Sequence, residues 1–353
     1  MNATIPQRAK ERDSGIELFR IIAMLSIVAH LYVVNSGVMS LLGGTTIKDL
    51  FYYLFGMWGK TGINCFVLIT GYFMCQSSIT LRKFLKLLLE VIFYKITIYV
   101  IFACTGYYTL FPNIFIDFWP ISSVTTGFVS CFLLFYLCIP FLNILIKNLN
   151  LKQHALLLLL VLFIYTFMGS IPHFQISMNY VTWFCILYLT ASFMRLYAAR
   201  VPLLNNTNWG ILSIISITLS ISSVVLLAWF KQTAYFFVSD SNKILALSTA
   251  FCTFMYFKNL KLHYSKFINT IAASTFGVLL IHAHSNEMRL WLWKDFVNVK
   301  FHYQIDHYIL FSFYVVIAIF IICIIIDNIR IRTIEKYTFR KLDHLFSSCC
   351  YYY

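Results

Sequence analysis

The chain has 353 residues, 60% of them hydrophobic and 18% aromatic, and only 11% charged. Soluble domains are roughly a quarter charged, so this composition excludes a water-soluble globular protein and equally a disordered chain or a collagen-like fibre. The formal net charge of +14 is spread in short clusters between apolar runs rather than along one stripe, which argues against nucleic acid and for cations that mark one side of a bilayer.

Apolar runs near the roughly 20 residues needed to cross a membrane are predicted at about 17–35, 53–75, 84–106, 127–146, 154–171, 180–198, 209–230, 243–258, 270–288 and 308–327. The fold class expected is therefore all-α: a polytopic membrane protein of about ten helices, with both termini cytoplasmic. The first run carries Arg20 and His30 and lacks a small-residue cleavage site, so it reads as a retained helix. With the N-terminus inside, the inner segments hold eighteen of the 27 Lys and Arg and the outer loops six. Arg20, Lys60 and Lys95 remain at membrane depth. That three-to-one bias supports the threading. The second run, interrupted by Gly59-Lys60-Thr61-Gly62, and the short eighth run fit it least well. A single integral-membrane domain is expected over 1–345, with a short tail at 346–353. The ten Cys lie mostly inside apolar runs and read as small buried hydrophobes; no metal site is expected.

Polar groups at membrane depth are the candidate functional residues. Glu17 and Arg20 are three apart and share a helix face, either as a simple ion pair or with Arg20 turned to a ligand. His30 lies about 15 Å further along the helix, and reads as a proton acceptor facing substrate or as a satisfied packing histidine. In the ninth run His282 stands at similar depth; His284 is expected at the outer interface. The Gly-rich break places Lys60 and Asn64 where backbone must be covered by protein or line a wet cavity, with Lys60 either snorkelling or contacting substrate. The cluster Arg82, Lys83 and Lys86 is a topology signal or a cationic seat for a phosphorylated ligand. Glu90 and Lys95, five apart, do not face each other.

Three stretches together carry a resemblance. Glu17-Leu18-Phe19-Arg20-Ile21-Ile22-Ala23-Met24 running to His30, then Gly62-Ile63-Asn64-Cys65-Phe66-Val67-Leu68-Ile69-Thr70-Gly71-Tyr72-Phe73, then Phe276-Gly277-Val278-Leu279-Leu280-Ile281-His282 resemble, in order, the acyltransferase-3 family of bacterial membrane proteins. The resemblance implies an O-acyltransferase of the cell membrane that takes an acyl group, usually acetyl, from acetyl-CoA. The acceptor it implies is a sugar hydroxyl of a surface or lipid-linked polysaccharide. It implies Arg20, His30 and His282 as catalytic residues and Arg82, Lys83 and Lys86 as the coenzyme A site. Lys60 and Asn64 are then candidates for substrate binding, with Asn64 a donor to the developing oxyanion. The implied partners are the lipid bilayer, a glycan acceptor and polysaccharide assembly proteins. One departure stands out: nine residues separate Arg20 from His30 where the family pattern has ten, so Leu31 occupies the expected place and His30 is turned about 80° around the helix. Two other readings share these buried polar groups, a flippase for a lipid-linked sugar and a non-catalytic subunit of polysaccharide assembly.

Overall fold

A computed structural model describes residues 13–43, 46–107, 119–121, 127–174, 176–338 and 340. The expected tail at 346–353, with Cys349-Cys350, lies outside the described residues. Every regular element among the described residues is helical. In chain order these are α1 (Ser14–Val34), α2 (Ile47–Gly56), α3 (Gly59–Met74), α4 (Leu81–Thr105), α5 (Phe128–Asn148), α6 (Leu151–Leu162), α7 (Tyr180–Tyr197), α8 (Trp209–Trp229), α9 (Ile244–Asn259), α10 (Lys266–Ala273), α11 (Thr275–Ala283) and α12 (Tyr308–Arg330), with short turns between them. Side chains cap the starts: Asp13 accepts from the Gly15 and Ile16 amides of α1, and Thr80 from Lys83 in α4.

Among the described residues eight segments are long and apolar enough to cross a bilayer, where the sequence reading had about ten. The two that fall short are the poorly fitting pair. The second expected span breaks at Met57-Trp58 into α2 and α3, and the eighth is α9; α3 and α9 have 16 residues each. At 1.5 Å per residue such a helix is about 24 Å long, against a hydrocarbon core of about 30 Å. Both short helices lie within the bundle, α3 packing against α1, α7 and α9.

The surface explains why lipid is the solvent. On α8 the residues turned outward are Ile211, Ile214, Ile215, Leu219 and Leu226, while Ser213, Ser216 and Ser220 are buried. Ser220 Oγ lies 3.0 Å from Thr249 Oγ1 of α9. On α12 Leu310, Ile317, Ile321, Ile325 and Ile329 are exposed, and Ser312, Asp327 and Arg330 are inside. This is the reverse of a soluble helix and the pattern that membrane packing favours, with small and polar groups between helices.

Helix ends that the charge bias assigns to one side also meet in space. On the inner side Ser14 Oγ accepts from the Ser265 amide, Arg195 donates to Tyr72 and Gln76, and Lys86 pairs with Glu335 at 2.5 Å. On the outer side Asp49 accepts from Tyr303, Tyr235 donates to the Tyr53 carbonyl, and Lys60 donates to Tyr180. Inner and outer are used below in this sense.

One polar cluster is buried near the inner ends of α4 and α12. Arg330 reaches three carboxylates: Glu90 (2.9 Å), Asp327 (2.8 Å) and Glu335 (3.0 Å). Tyr94 donates to Asp327 at 2.7 Å. Asp327 fits there because Gly277 of α11 has no side chain; a Cβ on it would collide with the carboxyl group. Glu90 therefore finds its cation 240 residues away, and Lys95 turns instead to the Trp119 carbonyl at 2.6 Å.

Candidate active site

The outer half of the bundle encloses a cavity of about 460 Å³, within the usual size for a small-molecule site. Its wall brings together His30 from α1, Lys60 from α3, and His284 and Arg289 from the segment after α11. Leu31 is in the wall as well, so the one-residue departure in α1 leaves both candidate positions facing the same space.

The position of His30 follows from glycines. Gly56, Gly59 and Gly62 recur every three residues and meet α1 at Val33, His30 and Ala23-Ile27 respectively, each so closely that a Cβ would clash. The His30 ring thus lies directly on Gly59. From there its Nδ1 is 2.5 Å from the Gly56 carbonyl oxygen. A carbonyl only accepts, so Nδ1 carries the proton and the neutral ring presents the Nε2 lone pair as its basic atom. This is the arrangement that sets a histidine's tautomer and supports the imidazolium once it forms.

Positive charge lines the same cavity. Lys60 is oriented by a 2.8 Å bond to the Tyr180 hydroxyl, with the tyrosine ring 5.5 Å from Nζ. Arg289 donates through one terminal nitrogen to Asn286 at 3.1 Å. The start of α3, with Gly59 and Lys60 in the wall, adds the partial positive charge of a helix N-terminus. A proton acceptor beside clustered cations is suited to a reaction in which a hydroxyl loses its proton as negative charge grows on a neighbouring oxygen.

The other sequence candidates lie elsewhere. His282 is fully buried; its Nδ1 lies 2.5 Å from the Val278 carbonyl of its own helix, and its ring meets the Trp293 indole edge-on. It is not in the cavity wall, whereas His284 is. Asn64 is also fully buried, its amide donating to the Ser241 carbonyl at 2.7 Å and accepting from Trp183 at 2.9 Å, so it joins α3, α7 and the loop before α9. Arg20 pairs with Glu17 at 3.5 Å and is separated from His30 by about three helical turns.

A second pocket, about 540 Å³, opens on the inner side between α4 and the end of α12. Arg82, Lys83 and Lys86 line it, joined by Arg332, Lys336 and Glu335. Lys83 donates to Ser77 and Ser78, and Lys86 is held by Glu335. Five cations facing one carboxylate fit a polyanionic ligand such as the phosphates of a nucleotide. Among the described residues no cluster of His, Cys, Asp and Glu has the make-up of a metal site.

Sequence reasoning missed His284, Arg289, Arg332 and Lys336 and the glycines that seat His30. The three-residue recurrence of Gly56, Gly59 and Gly62 was the available signal for the last.

An apolar helical bundle with a histidine and cations lining one cavity defines a multi-pass membrane protein with a polar site among its helices. Comparison with known families carries this further. A family model described as an acyltransferase domain, that of the acyltransferase-3 family, matches residues 13–327, nearly the whole chain, and the protein belongs to that family. No curated protein and no solved structure matches the chain.

Proposed function

We propose that this membrane acyltransferase is an O-acetyltransferase of the bacterial plasma membrane. It takes acetyl from acetyl-CoA presented on the inner side and esterifies a hydroxyl of a surface or lipid-linked polysaccharide. The observation that carries the reading is His30, whose Nδ1–H is committed to the Gly56 carbonyl and whose other nitrogen is left as a base within a cationic cavity.

In this reading the acceptor hydroxyl gives its proton to His30 Nε2 as its oxygen bonds to the acyl carbon. Lys60, Arg289 and the N-terminus of α3 stabilise the charge on the former carbonyl oxygen. As that charge returns, the carbon–sulfur bond breaks and the thiolate of coenzyme A takes the proton back from the imidazolium. The thioester is already activated, so a base and charge stabilisation suffice. Arg82, Lys83 and Lys86, with Arg332 and Lys336, hold the donor's phosphates on the inner side. His282, Asn64 and Arg20 act by packing rather than by touching substrate, and His284 takes the second histidine's place in the cavity.

The test is transfer of labelled acetyl from acetyl-CoA to purified surface polysaccharide by the detergent-solubilised protein. His30→Ala is expected to lower the rate by about 10² to 10⁴, the usual worth of a positioned base. His282→Ala, in protein that still folds, is expected to lower it far less. Undiminished transfer by His30→Ala would overturn the assignment. Absence of any transfer by the wild-type protein, with export of the unmodified glycan depending on it, would favour the flippase reading instead.

A further inference from the structure

The cavity at His30 has a neighbour. A wider depression of about 830 Å³ lies on its outer side, and the two share Lys60 and Gly127 in their walls. They are thus adjoining chambers with Lys60 at the neck. The inner chamber is walled largely by apolar side chains around His30, Lys60, His284 and Arg289. The outer one is different: Phe174 and Met178 offer flat or pliable apolar faces, while Asp240 and Asn242 bring polar groups. Phe174 and Ser177 form its exposed rim.

The hydrogen-bonding state of these groups decides what the outer chamber suits. Asn242 is held by its bond to the Tyr165 carbonyl at 2.9 Å, and Lys243 by the Gly169 carbonyl at 2.5 Å, so both are fixed parts of the wall. Asp240 accepts one long bond from Ser239, 3.4 Å, among the described residues, leaving most of its accepting capacity unused. A carboxylate with spare lone pairs beside an aromatic ring is the equipment that binds vicinal hydroxyls, the carboxylate accepting from two O–H groups while the ring covers an apolar sugar face. An acyl chain has no use for Asp240, and a plain alcohol can fill only one of its accepting positions.

We propose that the outer chamber is a saccharide subsite, so that the acceptor is an oligosaccharide or longer chain spanning both chambers. The unit to be esterified sits over His30 Nε2 and the next unit is held at Asp240 and Phe174, with Lys60 between them. This rests on the acyl-transfer reading above and adds to it the minimum length of the acceptor and the residue that measures it.

The experiment uses surface polysaccharide from the producing cells, hydrolysed and separated into monosaccharide, disaccharide and longer fractions, with acetyl-CoA as donor and the full-length protein in detergent. The wild type is expected to show kcat/KM about tenfold or more higher for the disaccharide and longer fractions than for the monosaccharide, the worth of one or two charge-assisted hydrogen bonds. Asp240→Asn, which keeps the shape, and Ser177→Trp, which fills the rim, are each expected to bring that ratio toward one through KM. Titration calorimetry of the disaccharide fraction supplies a readout independent of turnover: His30→Ala retains binding and Asp240→Asn loses it. Equal kcat/KM for short and long acceptors in the wild type, or an unchanged ratio in both variants, overturns the subsite. Asp240-dependent disaccharide binding without any transfer supports the subsite and overturns the acyl-transfer reading; no binding and no transfer overturns both.

Discussion

Replacing Gly59 by alanine tests whether His30 works because of where the glycine places it. A methyl group there would fall inside the imidazole, 2.5 Å from His30 Cβ and closer to the ring, where unbonded carbons need at least 3.0 Å. The side chain must therefore retreat by more than 0.5 Å, and it has little room, since its Nδ1 is already tied to the Gly56 carbonyl 2.5 Å away. The expected structural cost is that of an overpacked helix contact, about 1–3 kcal/mol. The catalytic cost is larger, because displacing a reacting group by about 1 Å can lower the rate about a hundredfold. Gly43→Ala, where nothing lies within 4 Å of the added carbon, is the matched control. The assay is acetyl transfer by detergent-purified protein, with thermal unfolding measured on the same samples. A folded Gly59→Ala protein that transfers within twofold of the wild type would refute the claim that this contact sets the base.

Two further tests address stability. Arg330→Leu leaves Glu90 and Asp327 as buried, uncompensated carboxylates, at an expected cost of about 3–5 kcal/mol; melting in detergent should fall by on the order of 5 °C or more, and an unchanged melting temperature would contradict the account of the cluster. His302 lies in the outer segment before α12, stacked on Phe311, where burial lowers its pKa below the ordinary 6.5. The fold therefore prefers the neutral ring while the unfolded chain takes up a proton near 6.5, so this contribution is intact above that value and is lost as the pH falls below it. His302→Gln should flatten the decline in melting temperature between about pH 7 and 5; parallel curves for the two proteins would count against it.

Much of the fold was readable because lipid leaves few choices: apolar runs separated by cationic clusters fixed the order and direction of the helices. Span number was harder. The runs at 53–75 and 243–258 look like crossings by composition; the sequence marked the first as interrupted and the second as short, and the backbone shows that the break falls at Met57-Trp58 and that each leaves a helix of 16 residues. His30 and Lys60 were legible as polar groups with no reason to be in hydrocarbon. The choice between His282 and His284 was not, because two residues turn a helix by about 200°, and which face meets the cavity depends on how α11 packs. Arg289 read as an ordinary loop charge, and Glu90 had no visible partner since its cation lies 240 residues away. Pairings at that separation leave no periodic trace in a single chain.

The shortness of α3 has a consequence for access. A helix about 6 Å short of the hydrocarbon thickness, starting at Gly59, has at its outer end Lys60 tied to the Tyr180 hydroxyl and the two cavities that share Lys60. A molecule entering from that side passes Lys60, which the two cavities share, before it reaches the imidazole. Where the short rod begins the cavity begins too, and the base stands in its wall.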